Sequence, residues 1–146
     1  MKEIVVFSNL DASHLEALKN LKDKISLDHS RLHLVHCLKV EAYSYDFLTA
    51  YYPTERDLES LKKAAGEVLN DQKEKLVAGD STLQFTSEVL TSPSPKEECV
   101  DYLKNVKADL AVVVTKERHG LNDIFHSSFS SFLNSHSPCD VFVLRD

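Results

Sequence analysis

Apolar positions change period repeatedly along this chain, and each change marks an element. Ile4-Val5-Val6-Phe7 is a short β-branched run that predicts strand one. Ser13-His14-Leu15-Glu16 has the form of a capping box, and Leu15, Leu18, Leu21 and Ile25 follow on one helical face. Leu32, Leu34, Leu38 and Val40, with Val35 among them, predict strand two, and an aromatic segment runs from Glu41 to Thr54. A second helix starts at Thr54-Glu55-Arg56-Asp57, just after Pro53. Leu58, Leu61, Ala65, Val68, Gln72 and Leu76 carry it to Gly79-Asp80-Ser81, and Gln72 is the polar break in that stripe. Leu83, Phe85, Ser87 and Val89 alternate as strand three.

Thr91-Ser92-Pro93-Ser94-Pro95 reads as a loop into a third helix, with Ser94 at the N-cap, Pro95 at the first helical position and Glu97 completing the box. Cys99, Val100, Leu103 and Val106 form its inner face. Leu110-Ala111-Val112-Val113-Val114 is apolar throughout, the mark of a strand buried on both faces of a parallel sheet. Leu121 to Ser135 is broadly helical, and Val141-Phe142-Val143-Leu144 predicts strand five. Strict alternation of strand and helix implies an α/β fold: one doubly wound, five-stranded parallel sheet with helices on both faces, in a single domain over residues 1–146. Ligands of such sheets sit beyond the carboxyl ends of the strands, where the strand order reverses, so the loops after strands one and four are the places to look.

Composition narrows the chemistry. Three glycines, Gly66, Gly79 and Gly120, stand far apart, and a phosphate-cradling Walker loop or dinucleotide fingerprint needs several close together. A net charge of −6 without a long basic run argues against nucleic acid as a partner. No apolar run approaches the ~20 residues of a membrane span, and Met1 to Asn9 lacks the features of a secretory signal, so a cytoplasmic protein with no membrane partner is expected. Cys37, Cys99 and Cys139 match no zinc or redox spacing and read as reduced, buried or half-buried thiols. His33, His36, His119, His126 and His136 show no ligand spacing with a third partner; no metal site and no catalytic residue is assigned.

The loop after strand one, Ser8-Asn9-Leu10-Asp11-Ala12, has neither the acidic pair of a receiver domain nor the phosphate loop of a flavodoxin. The loop after strand four is Thr115-Lys116-Glu117-Arg118-His119-Gly120, followed by a serine-rich stretch with Ser127, Ser128, Ser130, Ser131 and Ser135 and then by His136-Ser137-Pro138-Cys139. Val114 to Asp146 resembles the C-terminal signature of the universal stress protein family, a Gly-x2-Gly-x9-Gly-[Ser/Thr] motif, a helix and a His-x-Pro-Cys segment before the last strand. The start of the chain is similar to that family too. The resemblance implies a Rossmann-like sheet of strand order 3-2-1-4-5.

In that alignment the family's glycines fall on Val114, Glu117 and Ser127, its Ser/Thr on Ser128, and the Asp after strand one on Asn9. The chain thus looks like the branch of the family without the glycine-rich ATP-binding motif. Val114 and Glu117 put side chains, one of them anionic, where phosphates would lie. The resemblance implies a dimeric, non-enzymatic stress-response or regulatory module with no or weak ATP binding and no cofactor. The alternative is a nucleotide-dependent switch taking ATP or another adenine nucleotide at Asn9, Thr115, Ser127 and Ser128. It also implies a homodimer formed by antiparallel pairing of Val141, Phe142, Val143 and Leu144, since an apolar edge strand needs covering. The serines read either as a phosphate or modification site or as a small-residue helix face. Tyr43, Tyr45, Phe47, Tyr51 and Tyr52 read either as a lid packed on strands two and three or as a binding surface.

Overall fold

The computed structural model describes residues 1–45, 48–77, 82–115 and 128–145. Strands β1 (Lys2–Phe7), β2 (Ser30–Lys39), β5 (Gln84–Ser92), β6 (Leu110–Thr115) and β7 (Asp140–Arg145) form one sheet in the order β5-β2-β1-β6-β7. All its pairings are parallel. Helices α1 (Ala12–Lys19), α2 (Leu21–Lys24), α3 (Glu55–Val77), α4 (Pro95–Asn105) and α5 (Ser128–His136) are interleaved with the strands. Numbering the five sheet strands in chain order gives 3-2-1-4-5, as expected.

Alternation along each strand divides the core in two. Ile4, Val6, Leu32, Leu34 and Val112 face Ala17, Leu18, Leu21 and Leu69 of α1, α2 and α3. Val5, Phe7, Val35, Ala111 and Val113 face Cys99, Val100, Leu103 and Leu133 of α4 and α5. Ile4, Val5, Val35, Ala111 and Val112 are fully buried, which is why these strands read as continuous apolar runs. Among the described residues, no helix is long and apolar enough to cross a membrane.

The elements differ from expectation in four places. The first helix begins at Ala12, so Ser13 lies inside it; the Asn9 side-chain carbonyl accepts the Asp11 N–H at 2.8 Å and turns the chain into the helix before Ser13 is reached. That helix also breaks at Asn20. Asn20 and Asp23 each donate to a carbonyl three residues back, at 3.2 Å, and Ile25 is extended, although it still packs on the core. The aromatic segment contains an antiparallel hairpin, β3 (Glu41–Tyr45) with β4 (Leu48–Tyr52), whose aromatic-rich strands suit a pleated backbone. Thr91 and Ser92, expected in a loop, continue β5, because Ser92 pairs with Lys39 and its carbonyl accepts the Val40 N–H at 2.9 Å.

The long helix α3 shows which of its apolar positions face the sheet. Ala65, Leu69 and Gln72 are buried, whereas Leu61 and Val68 are 46% and 38% exposed. Thr54 caps this helix: its hydroxyl accepts the Asp57 N–H at 3.4 Å and donates to the Asp57 carboxylate at 2.6 Å. Ser94 holds the N-cap position of α4 with no side-chain capping bond. The expected helix over Leu121 to Ser135 is described from Ser128 onward, where it runs to His136.

Candidate functional site

The strand order reverses between β1 and β6, so their carboxyl ends open a crevice rather than sharing one crossover. Ser8 fixes the first wall. Its N–H donates to the Val35 carbonyl at 2.8 Å, which extends the β1–β2 pairing by one residue. Its carbonyl accepts the His36 Nδ1–H at 2.7 Å. Its hydroxyl donates to Gln72 Oε1 at 2.8 Å and accepts the Leu10 N–H at 3.1 Å. Ser8 and Gln72 are both buried, and a buried hydroxyl needs such partners. Leu10 then takes a left-handed φ of 68°, the bend that leads into α1.

Beyond these strand ends lies a cleft of about 300 Å³. Phe7, Val35, Val113, Val114 and Phe129 give it apolar walls, and Phe129 meets Phe7 edge to face at 5.4 Å. Ser8, Asn9, His36 and Cys37 line the β1–β2 side; Pro95, Lys96 and Cys99 come from α4. Lys96 is the one lysine or arginine among the described lining residues, and its ammonium also lies 5.8 Å from the centre of the Phe132 ring. Cys37 and Cys99 enter this lining from β2 and from α4, and the Cys37 S–H also reaches the Leu38 carbonyl at 3.9 Å. The influence of Cys99 holds the Cys37 thiol below its ordinary pKa, against the opposing effect of burial. The influence of Cys37 pushes the Cys99 thiol up, with burial adding to the rise.

Two other features lie away from this crevice. A cavity of about 230 Å³ on the opposite face is lined by core residues including Leu18, Leu34 and Phe85, with Lys19, Lys22 and Lys75. Its largely apolar lining belongs to the packing of α1, α2 and α3. A partly buried polar cluster tethers α4 to the sheet: His33 bonds Glu3 at 2.6 Å, the Tyr102 hydroxyl at 3.2 Å and Thr86 at 3.1 Å. Burial, reinforced by Glu88 and Glu3, pushes the Tyr102 phenol above its ordinary range. These bonds give His33 a role in joining β2, β5 and α4.

Of the residues assigned from the resemblance, Asn9 lines the cleft. Thr115 ends β6, and its hydroxyl donates to the Leu144 carbonyl at 3.4 Å, toward β7. Ser128 opens α5 in an exposed position; the next residue, Phe129, is the one that reaches the cleft. Ser127, Glu117 and Gly120 lie outside the described residues. Val114 lines the cleft while packed in the core. Sequence reasoning did not single out Ser8, Lys96 or the meeting of Cys37 with Cys99. The polar break at Gln72 was the visible trace of Ser8. In the hairpin, Tyr51 and Tyr52 are 61% and 63% exposed, so these two rings form surface rather than a packed lid.

The universal stress protein family model matches residues 1–145. Among solved structures, the chain is similar to the universal stress protein UspA from Lactobacillus plantarum, at 21% identity and a TM-score of 0.74, covering 99% of this chain and 97% of that one. It is also similar to a universal stress protein in complex with cAMP, at 16% identity and a TM-score of 0.67, with 99% and 96% covered. A third is the universal stress protein from Archaeoglobus fulgidus in complex with dAMP, at 15% identity and a TM-score of 0.59, with 99% and 98% covered. No curated protein sequence matches the chain.

Proposed function

Since this chain belongs to the universal stress protein family, we propose that it is a cytoplasmic, dimeric, non-enzymatic regulatory module whose switch-point cleft binds ATP weakly or not at all. The observation that carries this reading is the cleft's lining. A triphosphate needs several cations or converging N–H donors. The described walls are mainly apolar, with Lys96 as their lysine, and about 300 Å³ is the lower end of the range for small-molecule sites. Val114, which the resemblance aligns with a glycine of the family pattern, also lines this cleft. The three free thiols suit a reducing compartment.

Dimer formation through β7 is supported by its place at the sheet edge and by Val143, which is 40% exposed, while Leu144 is buried beneath it. Sedimentation at micromolar concentration is expected to show a dimer, and Val143→Lys a monomer with an unchanged circular dichroism spectrum. A wild-type monomer would refute the dimer.

The nucleotide question has a direct assay. Purified protein is denatured and the released small molecules are separated by anion exchange; native protein is then heated with and without millimolar Mg-ATP. No released nucleotide and no thermal shift are expected. A ligand present at about 100 times its Kd would stabilise the fold by about 2.7 kcal/mol, an easily measured shift. The second reading is a switch binding an adenine nucleotide through Asn9, Thr115, Ser127 and Ser128. It draws on the cAMP and dAMP complexes of two structural relatives and on Lys96 and Asn9 beside the cleft. Stoichiometric nucleotide release would establish that reading in place of the first.

A further inference from the structure

Two of the three cysteines line the switch-point cleft, one from β2 and one from α4. Cys37 lies on β2, on the face that alternation gives to α4, and is half-buried; Cys99 lies in α4 and is buried. Both line the same cleft of about 300 Å³ and pack in the same core cluster, and each thiol is the strongest influence on the other's ionisation. Cys139 sits elsewhere, next to the Ser137 hydroxyl at 3.4 Å. The pair therefore has the arrangement of an accessible attacking thiol with a buried resolving one.

We propose that Cys37 and Cys99 are an oxidisable dithiol, which a peroxide entering the cleft converts to an intramolecular disulfide. The Cys37 thiolate attacks one oxygen of hydrogen peroxide. The O–O bond breaks, Cys37 becomes a sulfenic acid, and the departing hydroxide takes up the thiol proton as water. The Cys99 sulfur then attacks the Cys37 sulfur. The S–O bond breaks, and the hydroxyl leaves as a second water with the Cys99 proton. Two thiols lose two electrons and two protons, and one peroxide becomes two waters. The roles follow from position: Cys37 is the more accessible thiol, and its thiolate is the one that the influence of Cys99 favours. The bond would join β2 to α4 across the cleft, and the inference does not depend on whether that cleft takes a nucleotide.

The test uses the full chain, reduced, desalted and treated with equimolar hydrogen peroxide. Intact mass is expected to fall by two hydrogen atoms with no oxygen retained. Thiol titration is expected to fall from three groups to one, and non-reducing peptide maps should join the Cys37 and Cys99 peptides. Dithiothreitol should restore all three thiols, and the oxidised form should melt several degrees higher, since the bond closes a long loop. Cys99→Ala is expected to leave a sulfenic acid at Cys37, trapped by dimedone, whereas Cys139→Ser should behave as wild type. The wild-type mass and peptide map decide the matter even if Cys99→Ala fails to fold. Three surviving thiols, oxidation at Cys139 alone, sulfinic acid at Cys37 without a disulfide, or disulfides only between chains would each overturn the proposal.

Discussion

Gln72→Leu isolates the contact that holds the candidate site's first wall. Leucine has nearly the volume of glutamine and suits the apolar stripe of α3, so on helix pattern alone the change should stabilise. The structure argues the reverse. The Ser8 hydroxyl donates its O–H to Gln72 Oε1 at 2.8 Å in a buried setting, while its oxygen accepts the Leu10 N–H. Removing the amide strands a buried donor, a loss of about 1–3 kcal/mol, against which the gain from an added apolar side chain is partial. For a domain of this length, each kcal/mol moves the thermal midpoint by roughly 2–4 °C. Urea unfolding followed by circular dichroism should show a lower midpoint at an unchanged slope. Combining Gln72→Leu with Ser8→Ala should cost less than the sum of the two single changes, because the stranded partner goes with it. A Gln72→Leu protein as stable as wild type, or additive single effects, would refute the reasoning.

Leu69→Ala empties a fully buried position and is expected to destabilise by about 2–5 kcal/mol, while Leu61→Ala, on the exposed face of the same helix, should stay within about 0.5 kcal/mol in urea unfolding. Lys107 is exposed, has φ of 53°, and ends α4; its N–H donates to Lys104 and the Ala108 N–H to Leu103, a Schellman motif with a lysine where glycine fits best. Lys107→Gly should therefore stabilise by about 0.5–1 kcal/mol, read as a higher thermal midpoint, and a lower one would contradict the strain argument.

The polar requirements of the loops were only partly legible in the chain. Ser8 looked like an ordinary residue after a strand, and Gln72 like an imperfection in a helix. Their bond spans two distant elements, so no local pattern could join them. Leu61 and Val68 followed the helical spacing as well as Leu69 does, and only the packing angle of α3 on the sheet chose between the two faces. Glu41–Tyr52 showed aromatic content but no turn signal, and the hairpin register became visible only through backbone pairing.

The alternation of strand and helix, the buried character of the central strands and the sparse, scattered glycines could be read from order and composition alone, because each is a property of neighbours along the chain. The family signature at the C-terminus likewise depends on short-range spacing, and with it came the strand order. What the tertiary structure decided is who meets whom at the strand ends: Gln72 beneath Ser8, His36 on the Ser8 carbonyl, Phe129 against Phe7, and Cys37 beside Cys99. These contacts join residues whose separation in sequence carries no periodic signal, and they exist because parallel strands bring their carboxyl ends, and the helices that follow them, to one side of the sheet.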